Sequence, residues 1–181
     1  AEFSEADPAA VERWLAGQMD AGGVADAVVA HSESQAKRLW ALRENISEAQ
    51  KIEGISIKHD IAVPVSAIPA VLEQADAALE RAFPGIRVVA FGHVGDGNLH
   101  YNLSKPDAQE NAAFIAAQPE VNRIVHDVVH ALNGSISAEH GIGQLKREEL
   151  LRYKSPVEIA LMRTIKQALD PRGLMNPGKV V

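Results

Sequence analysis

The chain has 181 residues, 46% of them hydrophobic, which is enough to bury one substantial core, and a formal net charge of -6. Its charges are mixed in sign, so no basic stripe is available to neutralise a phosphate backbone, and nucleic acid is excluded as a partner. There is no cysteine, which excludes disulfides and thiolate sites and leaves imidazole and carboxylate as the strong metal ligands.

No apolar run approaches the ~20 residues that a bilayer helix requires, and no signal peptide opens the chain. The expected setting is cytoplasmic or peripheral at the inner membrane. The chain begins almost directly with a helical segment and without methionine, which points to a piece of something longer.

In chain order, Asp7-Pro8 forms an N-cap and first-turn pair, and Val11, Trp14, Leu15 and Met19 follow at helical spacing to about Gly22. Ala25 to Ala30 reads as a short buried strand. Ser32 or Ser34 then caps a long helix with Leu39, Leu42 and Ile46 on its apolar side, and this helix carries Arg43 and Ser47. From Gly54 the pattern alternates, with Ile55, Ile57, His59 and Ile61 opposed by Ser56, Lys58 and Asp60, until Pro64 ends the strand.

A helix capped near Ser66 presents Ile68, Leu72, Ala75 and Leu79, and Phe83-Pro84-Gly85 closes it before a strand, IRVVAFGH. After a hairpin, Pro106-Asp107 is expected to open a helix that Pro119 kinks or divides and Asn133-Gly134 stops. GSISAEHGIG is a glycine-rich strand or loop, followed by helical stretches at Leu145 to Tyr153 and Pro156 to Leu169 and a loop-like tail, LMNPGKVV. Alternating strands and helices with a true hairpin predict an α+β fold, a mostly antiparallel sheet with helices on one face.

The hairpin FGHVGDGNLHYNLS carries the chemistry. Asp96-Gly97 suits the central pair of a type I′ turn, which would set Val94 opposite Leu99 and His93 opposite His100, with the two Cβ atoms ~5 Å apart on one face. Asn102 shares that face, while Leu99, Tyr101 and Leu103 point to the core. Two such histidines can also be a plain cross-strand polar pair.

Glu139-His140, between Ser137 and Gly141, adds a carboxylate and a third imidazole in a segment whose glycines allow close backbone approach. Two imidazoles and one carboxylate form an open metal site that leaves positions for substrate oxygens, and an unliganded His140 can accept a proton. A capping glutamate beside a hydrogen-bonded loop histidine is the plainer alternative. Neither GHVGDGN nor AEHGIG has the spacing of a nucleotide-binding loop.

Three stretches, GHVGDGNLHYN, SISAEHGIGQLKREEL and LDPRGLMNPGK, together with LWALRENISEA and KHDIAVPV upstream, resemble the C-terminal domain of FAD-linked oxidases of the vanillyl-alcohol oxidase type. Within that family the likeness is greatest to the D-2-hydroxyglutarate and D-lactate dehydrogenases, and it covers the chain from about Ala25 onward. The resemblance implies a ferredoxin-like substrate- and metal-binding domain over residues 1–143. It also implies a helical tail over 144–181 that packs on an FAD-binding domain lying outside this chain.

Residue by residue, the resemblance makes His93, His100 and Glu139 ligands of a divalent ion, zinc before manganese, and His140 the base. It puts Arg43, Ser47, Lys58 and Asn102 on the substrate and Asn176 near the flavin. Ser47 stands where the family can have threonine, which leaves the identity of the substrate open. Read without the resemblance, Arg43 is a solvated helix residue paired with a glutamate and Lys58 an exposed strand residue.

The implied activity is oxidation of a D-2-hydroxy acid, 2-hydroxyglutarate, lactate or similar, to the 2-oxo acid. Electrons would pass on to an electron-transfer flavoprotein or a quinone, and a homodimer is admitted. The chain on its own, lacking flavin, is expected to be inactive. A zinc-dependent hydrolase using the same residues and a non-catalytic ligand-binding or assembly module are the alternatives.

Overall fold

The computed structural model describes residues 7–106 and 110–181. They fall into two compact units, residues 1–49 and 50–181, and residues 144–181 belong to the second.

In the first unit, Asp7 accepts the amide of Ala9 and caps α1 (Pro8–Asp20), with Pro8 at its first position. Ser32 accepts the amide of Gln35 and caps α2 (Glu33–Glu44). The long helix expected from this cap is interrupted at Asn45, so Arg43 lies in the last turn of α2 while Ser47 lies in α3 (Ile46–Glu53), whose last residues enter the second unit. The strand expected at Ala25–Ala30 is not formed: the segment has no ladder partner and Val28 is largely exposed. A short apolar run becomes a strand only where an edge is available to pair with it.

The second unit is built on an antiparallel sheet of β1 (Ser56–Ala62), β2 (Arg87–His93) and β3 (Asn98–Ser104) in the order β1-β3-β2. Between β1 and β2 runs α4 (Ile68–Ala82), entered through a single turn of 3-10 helix at Val65–Ala67 rather than through a Ser66 cap. After β3 come α5 (Asn111–Ala116) and α6 (Gln118–Ala131), divided just before Pro119. The expected opening of this helix at Asp107 lies outside the described residues. Ser135 then makes an antiparallel bridge to Ala62 on the free side of β1, so strand, helix, hairpin, helix and a vestigial fourth strand follow the ferredoxin-like βαββαβ path.

Alternation along β1 and β3 decides the two faces. Ile57, Ile61, Leu99, Tyr101 and Leu103 are buried against Val71, Ala75 and Leu79 of α4 and Val121, Val125 and Val129 of α6. Tyr101 keeps a polar contact there, its hydroxyl donating to Asp76 Oδ1 at 2.5 Å. His59 lies on this core face as the pattern requires. Its Nδ1 is 3.0 Å from the Tyr101 carbonyl and its Nε2 is 2.9 Å from Asn122 Oδ1, while burial, with help from His126, pulls its pKa down to about 4. The opposite face carries Lys58, Asp60, His93, Asn98, His100 and Asn102.

The hairpin differs from the sequence expectation by two residues. His93 pairs with Asn98 and Phe91 with His100, because the loop is a four-residue one: a 3-10 turn at Val94–Asp96 followed by Gly97 at φ 76°. Asp96 Oδ1 accepts the Asn98 amide at 3.1 Å, so the Asp-Gly pair builds an Asx turn ending in one left-handed residue instead of a two-residue type I′ turn. A shift of two keeps both histidines on one face and moves them from opposite to diagonal.

The Gly97 carbonyl also accepts the Val63 amide at 3.0 Å, and a Cβ at this position would fall 1.9 Å from the Val63 carbonyl oxygen. Gly95 has open space around it. Gly97→Ala is therefore expected to destabilise the fold by about 2–3 kcal/mol or more, and Gly95→Ala to change it by less than about 0.5 kcal/mol, both read from urea midpoints. Equal tolerance at the two positions would contradict this turn geometry.

Candidate metal and proton-transfer site

The segment after α6 bridges to β1 at Ser135 and is held from the β1 side by Asp60. Asp60, 2% exposed, projects from β1 toward residues 138–140, and its Oδ2 accepts the amides of Ala138 (3.1 Å), Glu139 (2.9 Å) and His140 (2.8 Å). Burial alone would raise the Asp60 pKa, but the amides of His140, Ala138 and Glu139 and the nearby His140 ring outweigh it and hold the carboxyl below its ordinary value. A carboxylate with three amide donors fixes the local backbone and hence the exit directions of the Glu139 and His140 side chains.

Glu139 thereby reaches back over the hairpin. Its Oε1 lies 3.5 Å from His93 Nε2 and its Oε2 lies 3.8 Å from His100 Nε2. Asn98, buried at the start of β3, donates from Nδ2 to Glu139 Oε1 at 2.5 Å. Since a carboxylate only accepts, this bond fixes the Asn98 amide and turns its Oδ1 away, where it is buried without a partner.

Donors bound to one zinc-like ion at ~2.0–2.2 Å stand ~3–3.5 Å from each other. Glu139 meets each imidazole at close to that spacing, through Oε1 to His93 and through Oε2 to His100. Two imidazoles and a carboxylate are donors of the kind a divalent cation takes. Among the described residues, the grouping whose single ligand atoms all lie within 4.8 Å of one another is Asp60, His100 and His140. Asp60 Oδ2 already carries three hydrogen bonds, which leaves only its buried and unpartnered Oδ1. Glu139 has the freer carboxylate.

His140 is 66% exposed at its side chain, with Nδ1 3.7 Å from Asp60 Oδ2 and its ring centroid 5.9 Å from that of His100. An imidazole so exposed, with a carboxylate beside one nitrogen, can exchange a proton at the other.

The remaining expected residues divide between the units. Lys58, exposed, and Asn102, buried, face each other across β1 and β3 on the His100 side of the sheet. Asn102 Nδ2 donates to Gln50 Oε1 at 2.8 Å. Arg43, at the end of α2 in the first unit, lies 6.0 Å over the ring of Trp40, and Ser47 is exposed on α3.

Asn176 sits in the tail, which Asp170 organises. Its carboxylate pairs with Lys166 and accepts the amides of Leu174 (2.9 Å) and Met175 (2.8 Å), and Lys166 with these amides holds its pKa at about 2. Asn176 then turns the chain at φ 48°, and the Val180 amide bonds the Gly143 carbonyl at 2.8 Å. The tail thus returns to the loop that carries Glu139 and His140.

Sequence reasoning missed Asp60, Asn98 and Gln50. Asp60 reads only as the polar member of an alternating strand, and its partners are main-chain amides 78 to 80 residues away. The Asp60 contribution to stability is present above the ordinary carboxylate pKa of 3.8 and is lost as pH falls through its lowered folded value. Asp60→Asn is expected to cost about 2–3 kcal/mol at pH 7. The gap between wild type and variant should close as urea midpoints are taken to pH 3 and below, whereas a constant gap would mean that the charge is not what holds the loop.

Residues 1–180 match the family of FAD linked oxidases, C-terminal domain. The chain is 47% identical over 176 residues to a D-2-hydroxyglutarate dehydrogenase of Xanthomonas citri pv. viticola, covering 97% of this chain and 37% of that protein. It is 45% identical over 162 residues to one of Stutzerimonas stutzeri, covering 90% and 35%. With a mitochondrial D-2-hydroxyglutarate dehydrogenase of Arabidopsis thaliana it shares 36% identity over 171 residues, covering 94% and 29%. The chain spans about a third of the length of these curated relatives. A ferredoxin-like sheet with this polar face and returning tail, matched over nearly its whole length, belongs to the FAD-linked oxidase C-terminal domain family.

Proposed function

We propose that this chain is the substrate- and metal-binding portion of an FAD-dependent dehydrogenase that oxidises a D-2-hydroxy acid, with 2-hydroxyglutarate the first candidate and lactate the second. The observation that carries the reading is the joint placement of Glu139 and His140 by Asp60. One residue faces two imidazoles and the next presents an open imidazole beside them. The names of the relatives support the choice of substrate. Nothing among them supports a hydrolase.

In this reading His93, His100 and Glu139 hold a divalent ion, zinc before manganese. The ion would supply Lewis acidity toward the substrate oxygens, and FAD, held by a domain outside this chain, would accept the hydride. His140 takes the proton from the substrate 2-hydroxyl while the C2 hydrogen leaves as hydride, so the hydroxy acid loses two electrons and two hydrogens and becomes the 2-oxo acid. Lys58, on the same face as His100 and Asn102, offers an ammonium to a carboxylate. For Arg43 and Ser47 the support is the family pattern alone, and for Asn176 it is that pattern and the return of the tail to Gly143.

Reoxidation of the reduced flavin requires a second carrier, and an electron-transfer flavoprotein or a quinone has the right chemistry. No helix among the described residues is long and apolar enough to cross a membrane, which suits a cytoplasmic or membrane-peripheral setting. The exposed apolar positions of α8 (Pro156–Leu169), Val157, Leu161, Ile165 and Leu169, suit a tail that packs on the flavin domain.

In the full-length flavoenzyme, D-2-hydroxyglutarate should bleach the flavin anaerobically. His140→Ala should slow that step by about 10²- to 10⁴-fold while one metal ion per chain and the flavin are retained. Undiminished bleaching in this variant would refute the assignment of the base. Chelation should abolish reduction, and readded zinc or manganese should restore it; full activity of a metal-free enzyme would remove the ion from the account. This chain without a flavin domain should show no turnover, because no side chain accepts a hydride.

A further inference from the structure

The segment 136–140 carries the two residues on which the proposed function rests, yet it belongs to no strand or helix beyond the single bridge at Ser135. Asp60 grips its amides from one side. On the carbonyl side stands Lys146, half-buried at the N-cap of α7 (Arg147–Tyr153), whose Nζ donates to the Ile136 carbonyl at 2.7 Å. Desolvation works against an ammonium in this position, and the negative charge of Asp60 works for it. Lys146 and Asp60 are thus oppositely charged groups attached to the opposite poles of one short stretch of main chain.

The position of Lys146 is itself determined. Glu149 on α7 accepts from Arg123 Nη2 at 2.7 Å and lies 3.1 Å from His126 Nδ1, both on α6. Tyr153 donates its hydroxyl to Asp127 Oδ1 at 2.7 Å. Since α6 packs into the core through Val121, Val125 and Val129, the chain of contacts runs from core to α6, from α6 to α7, and from α7 through Lys146 to the loop. The Ile136 side chain is itself buried.

We propose that Lys146 is a positioning residue for Glu139 and His140. By holding the Ile136 carbonyl while Asp60 holds the amides of residues 138–140, it fixes the path along which the Glu139 carboxylate and the His140 imidazole leave the main chain. A capping or surface role would require neither a buried carbonyl partner nor a carboxylate opposite. The inference rests on the proposed roles of Glu139 and His140.

The test uses the full-length, metal-replete flavoenzyme with Lys146→Met, which keeps the aliphatic stem and removes the charge and the donors, and Lys146→Arg, which restores both. In Lys146→Met, amide hydrogen exchange at Ala138, Glu139 and His140 should quicken at least about tenfold, with Ile61 and Val125 within about twofold of wild type. Metal should be lost to chelator about tenfold faster, and kcat for D-2-hydroxyglutarate should fall about 10²-fold with KM within about threefold. Lys146→Arg should recover most of each change. Unchanged exchange at residues 138–140, or equal acceleration across the whole sheet, would overturn the proposal. Should the wild-type enzyme not oxidise D-2-hydroxyglutarate, the functional reading falls on its own, and the exchange measurements still decide the role of Lys146.

Discussion

One carboxylate oxygen on β1, accepting three successive amides, is the constraint on which the site depends. Each amide donates a charge-assisted bond to an oxygen shielded from water, where such bonds are stronger than at a surface. The result is a loop whose amides are held as a strand's are, but without a strand's geometry. Residues 139 and 140 can therefore project in unlike directions, one toward the hairpin imidazoles and the other into solvent beside them.

The sheet prepares the place that this loop addresses. Because alternation sends Leu99, Tyr101 and Leu103 into the core, Asn98, His100 and Asn102 must leave on the far side, and β1 adds Lys58 and Asp60 to the same face. The apolar half of the pattern thus supplies the stability, and the polar half becomes a surface of imidazoles, amides and charges. His59 shows the converse: on the core face the same side chain type is buried, with Nδ1 beside the Tyr101 carbonyl, and burial pulls its pKa down to about 4.

Much of this was legible in the sequence, and the parts that were not have physical reasons. Face membership of the histidines followed from the period of two and survived an error of two residues in the hairpin register, because such a shift leaves every side chain on its face. The error arose because Asp-Gly serves both a type I′ turn and an Asx turn ending in a left-handed glycine, and here the Val63 amide, distant in sequence, donates to the Gly97 carbonyl. Ala25–Ala30 has strand composition but finds no edge. Asp60, Asn98 and Lys146 were hidden because their partners are main-chain groups or a carboxylate distant in sequence, which no local pattern announces.

In the proposed function Glu139, rather than Asp60, completes a cation site with the hairpin histidines. This assignment is tested most directly by anomalous diffraction at the metal edge from crystals of the full-length, metal-replete protein. The account predicts a single strong peak bounded by His93, His100 and Glu139, with Asp60 still bonded to the amides of residues 138–140. A peak enclosed by Asp60, His100 and His140 would contradict it, since His140 would then be a ligand and could not serve as the base.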